Sequence, residues 1–503
     1  MQLAYSIFYA AFMTISFSNN AHHLAEAASS SSKRRPLAFA AAVTERPQHL
    51  VLVGGGHAHV QVIKALNSAA RPSSLQVTLI DAQKSASYSG MVPGAIADLY
   101  TPAQTQLHLE PLARWAGIRF VHDPVVDIDL DNKQIVLRDA ADPIPFDAIS
   151  IDIGSASRDL DVIPGARQHT IPTRPIEKLV RRLNEAQSDL DEASRLVVVG
   201  GGVAGIELAM SISTRWKEFF PNLPCTILDA GQELLPNESK SARQMLRKVL
   251  CDKNIHVEHG CVVESVEENE VMLQDGRRVP FSHCVWATGA GAHQLAHNLS
   301  TLRGLQTTPR GWIEVNSSLQ SKSHPFVFAA GDCASIETPT HPKGVPKAGV
   351  YAVRAGPVLI ENLTRFLRGD NLLTYEPQDD FLKLLVCGNR EAMGFRFGLA
   401  LHGKWVFALK DRIDQNFMKL FDVSNLEPPT PGSYDTSQYD ASSDVGELLD
   451  EVEAAQLLQR TDEDVDVSMA QRVLRRMAND VGYRKAVLQY IHEEAPELVS
   501  LAQ

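Results

Sequence analysis

Two segments of this 503-residue chain have the residue types that bind the pyrophosphate of a dinucleotide. Each is an apolar run that leads into a glycine cluster: residues 50–60 read LVLVGGGHAHV and residues 196–206 read LVVVGGGVAGI. A buried strand brings the backbone to a tight turn, and the N–H groups of the following helix bind the phosphates. Two such turns in one chain predict two dinucleotides, an arrangement that suits hydride transfer from a nicotinamide to a flavin. The glycines concerned are Gly54 and Gly56 in the first segment, and Gly200, Gly202 and Gly205 in the second.

The first segment departs from the pattern at its third glycine. His59 stands at that position, where glycine normally lets the helix pack closely against the strand. We expect either a slightly splayed helix or an imidazole that faces the phosphates. For both His57 and His59, contact with the ligand and simple tolerance of the side chain are the two alternatives.

An acidic residue ends the second strand of each predicted unit, where such a residue hydrogen-bonds a ribose. These residues are Asp81, after VTLI, and Asp229, after CTIL. Asp229 is followed by Ala-Gly-Gln, so no arginine is present there to bind a 2′-phosphate. The second unit is therefore predicted to prefer NADH, and NADPH is less favoured.

Two more segments complete an ordered set of motifs. Residues 285–289 (VWATG) and 326–332 (FVFAAGD) each read as a strand that ends in a turn of small residues. In this order the motifs resemble the pyridine nucleotide-disulfide oxidoreductase superfamily, from residue 48 to residue 371. The resemblance implies that FAD binds at the first glycine turn and near Gly331 and Asp332, and that NADH binds at the second turn and near Gly289.

Within the superfamily, the chain resembles type II NADH dehydrogenases and, more closely, the flavoprotein module fused to bacterial selenide, water dikinases. The resemblance implies an FAD-dependent NADH oxidoreductase but not selenophosphate synthesis, because the residues that follow leave no room for a kinase domain. One departure is residues 152–155 (DIGS), where many relatives carry Ala-Thr-Gly. The closer resemblance rests on residues 54–60 (GGGHAHV), 88–94 (YSGMVPG), 346–354 (PKAGVYAVR) and 405–414 (WVFALKDRID).

Two side chains are candidates for a direct part in the reaction. Glu207 resembles the family glutamate that lies near the nicotinamide; the alternative is an acid stabilised by the dipole at the start of a helix. Lys347 precedes a predicted helix over residues 349–363, and its ammonium would stabilise reduced flavin at the N1/O2 edge. The alternative for Lys347 is a solvated surface lysine. No metal site is predicted, since the flavin carries the chemistry.

The composition argues against several classes of function. The net charge of −12 argues against nucleic acid as a partner, and a hydrophobic content of 44% supports large cores. The six cysteines include no Cys-x-x-Cys and none precedes Cys225, which argues against a dithiol relay, a disulfide framework and a zinc site. Cys333 is expected to be a small buried hydrophobic residue.

The predicted fold class is α/β, with two Rossmann-like dinucleotide-binding domains in a glutathione-reductase-like arrangement. The nicotinamide domain is inserted in the FAD domain, and a small C-terminal α+β unit follows. The predicted boundaries are 1–47 for a targeting presequence, 48–170 and 291–375 for the FAD domain, 171–290 for the NADH domain, 376–427 for a C-terminal interface domain, 428–466 for an acidic flexible segment and 467–503 for C-terminal helices.

The N-terminus has the composition of a targeting sequence. Residues 3–17 are apolar but too short to span a bilayer, and residues 27–43 are rich in Ser, Ala and basic residues without acids. Together they resemble a bipartite presequence, so we expect an organelle. A plastid is favoured, with the mitochondrion as the alternative, for a protein that is either soluble or peripheral to a membrane.

A quinone-like electron acceptor is expected, as in type II NADH dehydrogenases. A selenium or sulfur compound, or another small acceptor, is one alternative. A redox sensor resembling apoptosis-inducing factor is the other, and a homodimer is left open. Residues 381–421 are predicted to form short strands. Within them, residues 405–421 mix aromatic and basic residues, which is typical either of peripheral membrane contact or of packing against the FAD domain.

Overall fold

The computed structural model describes residues 47–378, 381–396 and 399–429. The predicted presequence, acidic segment and C-terminal helices therefore lie outside the described residues, apart from residues 47, 428 and 429.

The first glycine turn belongs to a five-stranded sheet in which every neighbouring pair of strands is parallel. Parallel sheets are covered on both faces, which explains why the strand before the turn is a continuous apolar run, buried from Leu50 to Val53. In spatial order the strands are Val327–Ala329 (β21), Ala148–Ile151 (β9), Gln48–Val53 (β1), Leu75–Asp81 (β2) and Arg119–His122 (β5).

The second glycine turn belongs to a second five-stranded parallel sheet with the same plan. In both sheets the central strand leads into the glycine turn and its acidic partner ends the adjacent strand, so the repeated motif has produced a repeated architecture. In spatial order the strands are Ile171–Pro172 (β11), His283–Trp286 (β18), Leu196–Val199 (β12), Cys225–Asp229 (β13) and Ile255–His259 (β14).

A three-stranded antiparallel sheet is inserted in the chain within each parallel sheet, between β5 and β9 in the first and between β14 and β18 in the second. The first consists of Val125–Asp129 (β6), Gln134–Leu137 (β7) and Ile144–Pro145 (β8), and the second of Val263–Val266 (β15), Glu270–Leu273 (β16) and Arg278–Pro280 (β17). Three short pairs complete the strands: Ser85–Ser87 (β3) with Gln106–His108 (β4), Ala156–Ser157 (β10) with Ala290–Gly291 (β19), and Ile313–Val315 (β20) with Ala334–Ile336 (β22).

The helix that follows each glycine turn begins directly after the second glycine of the motif, with Gly56 or Gly202 as its N-cap. Neither cap supplies a side-chain acceptor, so the first N–H groups must find other partners. The helices are His57–Ala65 (α1), Val92–Ile96 (α2), Leu109–Trp115 (α3), Ala166–His169 (α4), Ile176–Ser188 (α5), Val203–Trp216 (α6), Lys240–Asp252 (α7), Gln294–Arg303 (α8), Gly349–Arg368 (α9) and Lys404–Lys419 (α10).

The C-terminal unit is a three-stranded antiparallel sheet of Lys383–Gly388 (β23), Glu391–Arg396 (β24) and Leu399–Gly403 (β25), followed by α10. The prediction of short strands as far as residue 421 was therefore wrong for residues 404–419. The buried positions of α10 have helical spacing, but Lys410 and Asp414 are two of them. Because these charged residues interrupt the apolar pattern, the helix did not stand out in the sequence.

Within the described part of the chain, we find no helix that is both long enough and apolar enough to cross a bilayer.

Candidate active site

A cavity of about 610 Å³ lies at the carboxyl end of the first parallel sheet. Open α/β sheets bind ligands at this edge, and the volume lies in the range of small-molecule sites. The lining includes the first glycine turn, His57, Asp81, residues 152–157, residues 174–177, His293, Gly331, Asp332 and residues 347–349.

The first glycine turn is tightly enclosed by residue 152. A Cβ atom at Gly54 would overlap the carbonyl oxygen of Asp152, and one at Gly56 would overlap the carboxyl group of the same residue. Gly54 also has a positive φ of 90°. Both positions therefore require glycine, as the motif predicts.

His59 faces the sheet and does not line the cavity. Its Nδ1 lies 2.6 Å from the Gly54 carbonyl oxygen and its Nε2 lies 2.8 Å from the Ser150 hydroxyl. Burial lowers the pKa of His59 to about 4, so the ring is neutral. Since a carbonyl only accepts, Nδ1 donates to Gly54 and Nε2 accepts from Ser150. The imidazole thus fastens helix α1 to the sheet.

His57 lines the cavity and is only partly buried. Its Nε2 is inaccessible to solvent and has no hydrogen-bond partner among the described residues. The ring packs edge-on against Tyr88, with 5.3 Å between centroids. Burial lowers the pKa of His57 to about 4. The ring of His57 therefore lines the cavity, while its Nε2 is enclosed by the protein.

Two carboxylates hold the N–H groups of the first turn. Asp81 accepts from the N–H of Gly55 at 2.6 Å and of Gln83 at 2.7 Å. Asp152 accepts from the N–H of Ala58 at 3.0 Å and of the following residue at 3.2 Å. Burial raises the pKa of Asp152 to about 7. Sequence reasoning noted residue 152 only as a departure from the usual turn and missed this capping role.

Asp332 lies in the cavity with two partners that the sequence did not indicate. It accepts from the Ser155 hydroxyl at 2.8 Å and from the Arg174 guanidinium at 3.3 Å. Lys347 lines the same cavity, donates to the Ala334 carbonyl, and lies 4.4 Å from the centre of the Trp312 ring. Burial lowers the pKa of Lys347 to about 8.

The second glycine turn is more open than the first. A Cβ at Gly200 would overlap the Ala287 carbonyl, and one at Gly205 would overlap the Gly200 carbonyl. At Gly202, by contrast, a Cβ would meet no atom within 4 Å. Gly289, with a φ of 105°, follows the neighbouring strand. These glycines lie outside the cavity of the first unit.

Asp229 ends its strand beside the second turn, at the position predicted for the ribose-binding acid. A Cβ at Gly201 would lie 2.5 Å from its carboxyl carbon, so glycine is needed for this close approach. The Oδ2 atom of Asp229 is 3.2 Å from Nδ1 of His259.

Glu207 points from helix α6 toward the C-terminal unit and does not line the cavity. It accepts from the Val386 N–H at 2.7 Å, and burial raises its pKa to about 7. The buried Lys410 acts on it electrostatically and donates to Asp414 at 2.7 Å and to the Gly90 carbonyl at 2.6 Å. Sequence reasoning missed this charged cluster, because Lys410 and Asp414 lie some two hundred residues after Glu207.

Residues 48–356 match the family of pyridine nucleotide-disulphide oxidoreductases, and the chain belongs to that family. The predicted superfamily, α/β fold class and oxidoreductase class are thereby confirmed. FAD and NADH, the two predicted cofactors, are those that the family binds.

The chain is similar to demethylphylloquinone reductase NdbB of Synechocystis sp., with 26% identity over 257 residues, or 47% of this chain and 62% of the relative. It is also similar to the type II NADH:quinone oxidoreductase of Staphylococcus aureus, with 22% identity over 74% of this chain and 94% of the relative. The fold resembles NDH2 from Plasmodium falciparum in complex with NADH, with a TM-score of 0.62, 12% identity, and coverage of 75% of this chain and 98% of that one.

Proposed function

We propose that this protein is an FAD-dependent oxidoreductase that oxidises NADH and passes the electrons to a quinone-like acceptor. The observation that carries the proposal is a dinucleotide cavity without a thiol: no cysteine lines it among the described residues. Cys333 lies behind the wall, its Sγ 3.2 Å from the Ala330 carbonyl oxygen, and burial raises its pKa to about 12. A thiol of this kind is not a nucleophile, which argues against a thiol relay and supports direct transfer of electrons from the flavin to the acceptor.

The residues of the cavity fit FAD, which accepts a hydride from NADH and releases electrons to the acceptor. Gly54 and Gly56 would let the backbone approach the pyrophosphate, with His57 beside them. Asp81 would bind the adenosine ribose, and Asp332 the ribityl or pyrophosphate part. Lys347 supplies positive charge at the start of helix α9, where it would stabilise the reduced flavin.

The second unit fits NADH. Gly200, Gly202 and Gly205 form an open turn at the start of helix α6, and Gly289 follows the adjacent strand. The N–H groups of that helix would bind the phosphates, and Asp229 would bind the ribose hydroxyls.

Reduction of a quinone to a quinol also consumes protons, and the buried cluster of Glu207, Lys410 and Asp414 is suited to supply them. A carboxyl with a pKa of about 7 is present in both protonation states at neutral pH. The cluster adjoins the cavity wall at Tyr88, which interacts with Asp414 and packs against His57. We propose that Glu207 exchanges the proton and that Lys410 stabilises its ionised form.

The packing of residues 405–421 supports an internal role for this segment. Phe407 and Phe421 are buried, and Phe417 stacks on Tyr88 with 4.8 Å between ring centroids. This arrangement favours packing against the rest of the protein over peripheral membrane contact. Membrane contact, a homodimer and a plastid location remain predictions.

The test is steady-state NADH oxidation by the purified full-length protein loaded with FAD. Water-soluble quinones, polysulfide and selenite are supplied as separate acceptors. We expect flavin absorbance and rapid turnover with quinones. Turnover only with the sulfur or selenium compound would reassign the acceptor. Reduction by NADH without turnover on any acceptor would favour the redox-sensor alternative. Glu207→Gln should lower kcat with quinone while leaving flavin content unchanged. Glu218→Gln, at an exposed position just after helix α6 and outside the cavity, is the control.

A further inference from the structure

The acid predicted to bind the nicotinamide ribose has a basic neighbour that the sequence did not indicate. Strands β13 and β14 are parallel and in register, so Asp229 and His259 stand side by side at their ends. The imidazole Nδ1 lies 3.2 Å from Oδ2 of Asp229. Because an ionised carboxylate only accepts hydrogen bonds, Nδ1 carries the proton in this contact.

This pair lies where a nucleotide would approach the second unit. The carboxyl of Asp229 lies against the glycine turn at Gly201. The side chain of His259 is 31% exposed and that of Asp229 is 14% exposed. The imidazole is therefore the more accessible member of the pair.

The corresponding acid of the first unit is held in a different way. Asp81 accepts from two backbone N–H groups, those of Gly55 and Gln83, which depend on no side chain. For Asp229, the donor found in the described part of the chain is the imidazole of His259. The orientation of the second acid thus depends on a single side chain.

We propose that His259 determines the choice of nicotinamide nucleotide together with Asp229. It orients the carboxylate toward the ribose hydroxyls of NADH, and it offers a basic partner to a 2′-phosphate. The first effect favours NADH, and the second limits how strongly the site excludes NADPH. This inference rests on the proposed function, since it takes NADH to be the ligand of the second unit.

The experiment uses the full-length protein loaded with FAD, with ADP-ribose and 2′-phospho-ADP-ribose as calorimetric probes. His259→Leu removes the donor, whereas His259→Asn keeps an N–H near the position of Nδ1. Loss of one hydrogen bond to a charged group predicts that His259→Leu weakens ADP-ribose binding and raises KM for NADH by roughly three- to tenfold. The value of kcat should stay unchanged, and His259→Asn should restore most of the loss. His256→Leu, at an exposed position on the same strand, is the matched control.

The interaction of His259 with a 2′-phosphate is tested in variants that lack the Asp229 carboxylate. Asp229→Asn should bind 2′-phospho-ADP-ribose at least roughly tenfold more tightly than the unmodified chain, because a like-charge clash is removed. The double variant Asp229→Asn with His259→Leu should bind 2′-phospho-ADP-ribose roughly threefold or more weakly than Asp229→Asn alone. Flavin absorbance and the melting temperature of each variant show whether the fold is intact.

The inference would be overturned if folded His259→Leu bound ADP-ribose like the unmodified chain, or if the double variant bound the phosphorylated probe as tightly as Asp229→Asn alone. Failure of the unmodified chain to bind ADP-ribose or oxidise NADH would instead refute the proposed function. The two failures are therefore distinguishable.

Discussion

The two glycine turns have similar sequences and equivalent places in their sheets, yet their N–H groups have different partners. In the first turn, the N–H groups of Gly55, Ala58 and His59 donate to the carboxylates of Asp81 and Asp152. In the second turn, the N–H groups of residues 201–205 have no hydrogen-bond partner among the described residues, and residues 202–204 are exposed.

This difference suits the two cofactors proposed for the turns. The first turn is held in place by carboxylates of the protein itself, which fits a preorganised site for a cofactor that stays bound. The second presents unpaired donors to solvent, which fits a nucleotide that binds and leaves in each cycle. A glycine motif therefore predicts a turn, whereas the acids around it determine which N–H groups of the turn stay available to a ligand.

The largest effects are expected from glycine substitutions, which should impair flavin binding at the first turn and NADH oxidation at the second. Gly56→Val would force a side chain into the Asp152 carboxyl, and Gly205→Ala would force one into the Gly200 carbonyl. We expect Gly56→Val to purify nearly colourless. Gly205→Ala should keep its flavin but lose roughly a hundredfold or more in kcat/KM for NADH. Flavin absorbance and NADH kinetics measure the two effects. Full flavin occupancy in Gly56→Val would remove FAD from the first turn.

The parts of the site that residue spacing alone predicted lie within a local strand–turn–helix pattern, whereas Gly289, Gly331 and Asp332 were predicted from the resemblance to the superfamily. The glycines and the acids at the strand ends are close in sequence to the turn they serve. Arg174 and Asp152 act on residues far from them in the chain, Asp332 in one case and Ala58 in the other. Lys410 reaches Gly90 across an even longer separation. Such pairs depend on how the sheets and helices pack, and spacing in one sequence does not encode them.

The preference for NADH over NADPH is the next test. Because the second turn is open, we expect Asp229 at the strand end to determine this preference. The 2′-phosphate of NADPH would meet the Asp229 carboxylate at a cost of a few kcal/mol, so kcat/KM should favour NADH by roughly a hundredfold. Both values are measured on the unmodified enzyme at equal ionic strength. Equal values would show that another cation compensates and that the acid does not set the preference.

The buried Asp152 of the first turn should make the stability of the protein depend on pH. Burial raises the pKa of Asp152 from 3.8 to about 7. The folded state therefore binds this proton more tightly than the unfolded state. The resulting stabilisation is present below about pH 4 and is lost as the pH rises through about 7. Asp152→Asn cannot titrate, so its stability relative to the unmodified chain should rise between about pH 4 and pH 7, by up to roughly 4 kcal/mol. Urea unfolding of both proteins across this range measures the difference, and parallel profiles would contradict it.

The smallest effect concerns the residue at which the two motifs differ. His59→Gly gives the first turn the glycine pattern of the second. It also leaves the Gly54 carbonyl and the Ser150 hydroxyl without their partner, which should cost roughly 1–3 kcal/mol of stability. Ser150→Ala removes one end of the same contact, so the double variant should lose less than the sum of the single losses. Flavin affinity should not change in any of the three, because the imidazole faces the sheet. The opposite result would be loss of flavin from His59→Gly with no change in the free energy of unfolding measured without cofactor. His59 would then contact the ligand. The two turns would differ mainly in their ligands and less in their internal contacts.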